Sequence, residues 1–270
     1  MSQTVLETLA VALLSFFTVG YFVLGGADLG LGMVLPYLGR GPYERRLVLD
    51  AVVPFFLGNE VWLIAAAGVF TGCFPAYEGE LFQGQFMVLV PLLTGWMVRD
   101  TGLWWRRNGG SAGRHILADG LVTGGSWTVA LSWGWLLAGL AGGTPEQLTG
   151  GPLVVLAVPA VAALFAAHGL AFGAVRLTGK PWERARRMTG CGGHGGRVGC
   201  SRPTLALTAV AMAALPLVAG ARLPLAESAV TGPVLGLLVP ALLVMTPLLV
   251  AAQVWMWRTL SGRSAAPRFM

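Results

Sequence analysis

Charge is what this sequence has least of. Asp, Glu, Lys and Arg make up 11% of its 270 residues, where a soluble globular domain carries about 25%. Hydrophobic residues reach 55%, and mean hydropathy is +0.70. Such a balance excludes a chain whose main solvent is water. A basic leader is also missing: the first apolar run begins at Val5 with no Lys or Arg before it. It is too long for a signal-peptide core, so no cleavable signal peptide is expected.

Long apolar runs are abundant. Stretches able to cross roughly 30 Å of hydrocarbon recur at Val5–Leu35, Val52–Phe74, Leu81–Trp105, Ile116–Leu140, Leu153–Val175, Thr204–Ala221 and Val234–Trp257. The expected fold is therefore all-α, a single polytopic membrane bundle of about seven helices. Pro216 interrupts the sixth, which is the shortest. Of the 18 Lys and Arg, all but Arg222 fall on one side of that topology. The positive-inside rule puts this side, with the C-terminus, in the cytoplasm and the N-terminus outside. The net charge of +6 thus reports topology, and nucleic-acid binding falls away. A cell-membrane, multi-pass protein is expected.

Against this background the few buried charges stand out. Asp28, Glu60 and His168 lie roughly 10–12 Å inside the cytoplasmic helix ends, Arg99 and Asp100 about 8–9 Å, and Asp119 about 5 Å. Charge in hydrocarbon is costly, so one layer of it marks function or helix pinning. On the pinning reading, Arg99 pairs with Asp28 or Glu60 and His168 bonds a neighbouring carbonyl. On the functional reading, a carboxylate or imidazole changes charge in a proton-conducting or quinone-contacting layer. His168 could also be an axial haem ligand. Adjacent helical residues diverge by about 100°, so Asn59 shares a face with Trp62 and Leu63 while Glu60 looks elsewhere. Around Asp28, the glycines Gly25, Gly26, Gly30 and Gly32 allow close approach by another helix or a flat ligand.

An internal repeat is visible as well. Pro42-Tyr43-Glu44-Arg45-Arg46 recurs as Pro181-Trp182-Glu183-Arg184-Ala185-Arg186. Asp28 precedes the first Pro, and His168 the second, by nearly the same spacing. Residues 1–140 then form a four-helix repeat and residues 152–258 a second, incomplete one in the same orientation. Between the fifth and sixth spans, residues 177–203 read as a basic, Gly-rich cytoplasmic loop. Its Cys191, His194 and Cys200 match no common zinc spacing and lack a fourth ligand. A flexible linker is the expectation there, with zinc binding or a redox disulfide as the other readings. Cys73 is read as packing, and Trp104, Trp105, Trp255 and Trp257 as anchors at the headgroup level.

The run Tyr21–Gly32 with its G-x-D-x-G-x-G, the Glu44-Arg45-Arg46 loop, Gly58-Asn59-Glu60-Val61-Trp62-Leu63, Phe74-Pro75 and His168-Gly169 with Glu183–Arg186 together resemble subunit II of cytochrome bd-type quinol oxidases. The resemblance covers roughly residues 15–190. It implies an accessory membrane subunit in a respiratory electron-transport chain. The partner would be a haem-bearing subunit I that oxidises quinol and reduces dioxygen to water. This chain would supply no haem ligand, and a quinone is the one further cofactor to consider. Its proposed roles are to support the partner and to help deliver protons. Three acids of the family pattern are replaced, by Gly25, Leu57 and Trp104. Two other classes stay open: an ion-coupled secondary transporter working through Asp28, Glu60 and His168, and a non-catalytic structural paralogue.

Overall fold

In hydrocarbon a backbone N–H or C=O has no water to bond, so a spanning segment must satisfy its own polar groups, and helices do so. The computed structural model describes residues 2–107, 110–143, 146–191, 200–230 and 233–260, and every regular element among them is helical. Helix α1 (Gln3–Leu38) is followed by the short α2 (Pro42–Asp50), then α3 (Phe56–Cys73), α4 (Pro75–Gly84), α5 (Phe86–Arg107) and α6 (Ala112–Ala141). The chain continues through α7 (Pro152–Arg176), α8 (Gly179–Met188), α9 (Ser201–Gly220), α10 (Leu225–Ser228) and α11 (Pro233–Leu260). Six of these, α1, α3, α5, α7, α9 and α11, are long and apolar enough to cross a membrane. The fourth expected span, α6, has 30 residues. Gly, Ser, Thr and Trp interrupt its apolar run, and it is not among those six.

Several boundaries differ from the sequence reading for local reasons. Pro42 occupies the first turn of α2, where its missing N–H costs nothing, so residues expected as loop are helical. Pro75 does the same for α4, which takes Leu81 to Gly84 away from the third span. Ten residues of the expected Gly-rich loop form α8, starting at Gly179 with φ +64°. Pro216 lies inside α9 without ending it.

At the centre stands α1, packed against α3, α6, α7, α9 and α11. Its tightest neighbour is α7. A methyl group on Gly30 would collide with the Phe165 carbonyl oxygen, and one on Gly169 with the Gly30 carbonyl carbon, so the two backbones touch there. The α5–α6 pair is joined in the same way, Gly125 lying against the Gly95 carbonyl and the Arg99 backbone.

Two apolar clusters fill the interior. The larger runs along the bundle through Phe17, Phe22, Trp62, Trp133, Phe165 and Met212. The smaller gathers Leu35, Leu38, Val48, Val52, Phe56, Phe172 and Leu177 toward the basic end. Helices α9 and α11 are peripheral, with Leu207, Val210, Leu237 and Leu248 all exposed. Trp104, Trp105 and Trp255 are also exposed. Trp257 departs from the anchor expectation: its ring lies 5.0 Å from Phe55 and 6.1 Å from Phe172, with the Arg176 guanidinium 5.8 Å away.

The α1–α7 contact makes a direct prediction. Gly169→Ala forces two backbones apart and is expected to cost about 2–3 kcal/mol, the upper range for overpacking. Gly68→Ala, where an added methyl meets nothing within 4 Å, should be neutral or stabilising by up to about 1 kcal/mol. Thermal unfolding of the two variants in detergent reads the difference; equal midpoints would contradict the close crossing.

Candidate functional site

The polar layer resolves into four separate groups. Asp28 on α1 is 2% exposed, and its Oδ2 accepts a hydrogen bond from Asn59 Nδ2 at 2.7 Å. The same amide reaches the Leu24 carbonyl at 3.3 Å. Asn59 Oδ1 in turn accepts from Gln253 Nε2 at 2.8 Å, and Gln253 Oε1 accepts from Trp62 Nε1 at 3.3 Å. A continuous row thus joins α1, α3 and α11. Asp28 Oδ1 is buried and has no hydrogen-bond partner among the described residues.

One residue further along α3, Glu60 faces α5 instead, as the helical offset from Asn59 requires. Its Oε1 accepts from Trp96 Nε1 at 2.9 Å and from Arg99 Nη1 at 3.0 Å. Arg99 Nη1 also reaches Asp100 Oδ1 at 3.0 Å. The Arg99 and Glu60 side chains are 3% and 10% exposed. Removing one partner of such a pair leaves an uncompensated buried charge and typically costs about 3–5 kcal/mol. Of the two carboxylates expected to pair with Arg99, the structure selects Glu60.

Asp119 belongs to a separate group near the basic end. Arg45 Nη1 donates to its Oδ2 at 3.4 Å, whereas Arg106 Nε lies 2.9 Å from its Oδ1, at ion-pair distance but off hydrogen-bond geometry. His168 is elsewhere again, on α7 against α1 and α9. Its Nε2 is 2.9 Å from the Val23 carbonyl, and its Nδ1 is 2.9 Å from Thr208 Oγ1. A carbonyl only accepts, so Nε2 carries a proton, while the Thr208 hydroxyl beside Nδ1 also lies 3.1 Å from the Thr204 and Leu205 carbonyls. Both ring nitrogens thus lie at hydrogen-bond distance from protein oxygens, on α1 and on α9.

The remaining motif residues build the frame. Arg184 donates to Glu44 at 2.5 and 3.3 Å and also to the Leu38 carbonyl, tying α8 to α2 and the end of α1. Arg45 donates to the Gly39 carbonyl at 3.0 Å. A methyl on Gly26 would press on Met212, on Gly32 on Ser126, and on Gly58 on Met256, so each marks a close helix approach. Trp62 packs its ring against Phe16 and Phe17. Glu183 is exposed. Of the three positions that lack the expected acids, Leu57 and Trp104 are about half exposed, and Gly25 lies against the Tyr21 ring.

Cys191 and Cys200 are joined by a disulfide that links the end of α8 to the start of α9. This corrects the free-linker expectation. A thiol in a disulfide is not a metal ligand, and His194 lies outside the described residues. Among the described residues no three His, Cys, Asp or Glu side chains converge on a metal position. Sequence reasoning passed over Gln253, Trp96, Thr208 and Arg106. Gln253 had a readable signal, since it is the one side-chain amide in the apolar run of α11.

A model of the family described as cytochrome bd terminal oxidase subunit II matches residues 6–196. The cytochrome bd ubiquinol oxidase subunit 2 of Bacillus subtilis (strain 168) is 29% identical over 187 residues, 63% of this chain and 53% of that protein. The cytochrome bd-I ubiquinol oxidase subunit 2 of Escherichia coli (strain K12) is 33% identical over 88 residues, 33% of this chain and 23% of that protein. A probable cytochrome oxidase subunit 2 of Haemophilus influenzae is 30% identical over 128 residues, 47% and 34% respectively. The chain spans about half the length, or less, of these relatives.

The Glu44–Arg184 pair predicts an acid-side dependence of stability. Arg184, and then the Arg40 N–H, hold the Glu44 carboxyl below its ordinary value of 4.5. The pair's contribution is therefore complete above 4.5 and is lost as pH falls through the lowered native value. Thermal midpoints measured from neutral pH into that acid range should fall less steeply in Glu44→Gln than in the native chain. Parallel curves would show that the pair carries no such linkage.

Proposed function

Because this chain belongs to the cytochrome bd terminal oxidase subunit II family, with residues 6–196 matching, we propose that it is the accessory membrane subunit of a bd-type quinol:oxygen oxidoreductase. Its partner is a haem-bearing subunit I, which carries the redox chemistry; quinol and membrane lipid are the other molecules it meets. The basic end faces the cytoplasm. The two similar helix pairs, α1–α2 and α7–α8, are the remnants of a parallel duplication.

The observation that carries a role in turnover is the row from Asp28 through Asn59 to Gln253, with one Asp28 oxygen buried and unpartnered among the described residues. A carboxyl with a free oxygen inside a bundle can exchange a proton with water or a neighbouring chain. Glu60 is different. Arg99 and Trp96 hold its Oε1, which makes it a clamp between α3 and α5 rather than a carrier. On this reading Asp28 handles protons, and Glu60, Arg99 and Asp100 position α3 against α5.

A second reading has support of its own. With Gly25, Leu57 and Trp104 in place of acids, titratable groups are sparse, and a purely structural subunit would need none of them.

Two measurements test the proposal. An affinity tag on this chain should bring down, from native membranes, a complex with a haem reduced-minus-oxidised spectrum and quinol-dependent oxygen uptake. Recovery of the chain without haem would reject the oxidase assignment. In the same preparation Asp28→Asn should lower oxygen uptake by at least about tenfold with haem content unchanged, while Glu60→Gln stays close to native. Full activity in Asp28→Asn would leave the structural reading standing.

A further inference from the structure

A second polar feature lies apart from the Asp28 row. At the basic end, where α2 meets the end of α5 and the start of α6, a cleft of about 340 Å³ is lined by Arg46, Asp50, Arg106 and His115 above an apolar floor that includes Leu49 and Leu103. Two guanidiniums face one carboxylate, so Arg46, Arg106 and Asp50 together give the cleft a net charge of about +1.

The four polar groups are not equally committed. Arg106, 10% exposed, is held in place by Asp119 and donates to the Pro42 carbonyl at 3.0 Å. One cation is thus pre-positioned. Arg46 is 62% exposed and sits 3.8 Å from Asp50, a long pair that leaves most of its donors free for a ligand. His115 Nδ1 is buried and has no hydrogen-bond partner among the described residues. A buried ring nitrogen left without a partner is costly, and a ligand oxygen in the cleft would relieve it. Asp50, whose carboxyl is pushed above its ordinary value by burial, limits the negative charge that a ligand can bring.

Position narrows the ligand class. The cleft lies at the end of a membrane-crossing helix, its lining residues Leu103 and Arg106 flanking Trp104 and Trp105 in the sequence of α5. This is the headgroup level, where basic pockets between helices take lipid phosphates. Arginine forks match a phosphate in geometry as well as charge. The apolar floor suits the first carbons of an acyl chain.

We propose that this cleft binds the phosphate of a singly charged anionic phospholipid, held by Arg46, Arg106 and His115. A free phosphate ion offers the same oxygens but has nothing for Leu49 and Leu103 to cover. A zwitterionic lipid would leave the net positive charge uncompensated.

The test uses the whole membrane complex that contains this chain, stripped of lipid in detergent. Native mass spectrometry and thermal midpoints are recorded against added phosphatidylglycerol, phosphatidylethanolamine and inorganic phosphate. Native protein should take up one phosphatidylglycerol per chain with a rise in midpoint. Arg46→Gln and His115→Leu should each weaken that uptake by about tenfold, the loss expected for one charge-assisted hydrogen bond. Arg46 is exposed, so its variant keeps the fold and isolates the binding effect. Equal uptake by native and variant proteins would overturn the site. Stabilisation by phosphate or phosphatidylethanolamine matching that by phosphatidylglycerol would overturn the assignment to an anionic lipid.

Discussion

Where α1 crosses α7, backbone rests on backbone at Gly30 and Gly169, and much of the interior depends on that contact. It brings α1 to the middle of the bundle, within reach of α3, α6, α9 and α11 at once. It also places His168, one residue before Gly169, against the Val23 carbonyl of α1. Asp28 lies on the same stretch of α1 and meets α3. With side chains at both glycines the helices would stand further apart, and His168 could not keep its contact with the Val23 carbonyl. In lipid, where apolar surface alone gives helices little reason to associate, close packing of this kind is a main source of attraction.

The second constraint is polar. Hydrocarbon offers no hydrogen bonds, so each buried polar side chain must find a partner within the protein. Two consecutive residues of α3 meet this demand in opposite directions. Asn59 joins α1 and α11, and Glu60 joins α5 through Arg99 and Trp96. One turn of α3 therefore organises three neighbouring helices. Asp28 Oδ1 is one of the buried atoms left without a partner among the described residues, and this gives the row its chemical interest.

At the basic end the logic changes, because water and headgroups are available. Arg184 with Glu44, and Arg45 and Arg106 with Asp119, tie α2, α5, α6 and α8 into a collar of ion pairs. The disulfide between Cys191 and Cys200 adds a covalent tie from α8 to α9. The proposed lipid-phosphate cleft opens beside this collar, using the Arg106 guanidinium that the collar positions.

The sequence by itself determined the helical class, most of the spanning segments, the family and the identity of the residues that would be costly in lipid. These follow from local quantities: run length, apolar content and the side-chain types within a short motif. It also separated the faces of Asn59 and Glu60, since the turn angle of a helix is fixed by its backbone. Only the tertiary structure decided which partner each polar group has. Arg99 takes Glu60 and not Asp28, Asp119 leaves the layer for Arg45 and Arg106, and Gln253 closes a row from almost two hundred residues away. Those choices depend on how helices cross, and crossing is set by small residues meeting across the bundle, a property of pairs of segments that no single segment contains.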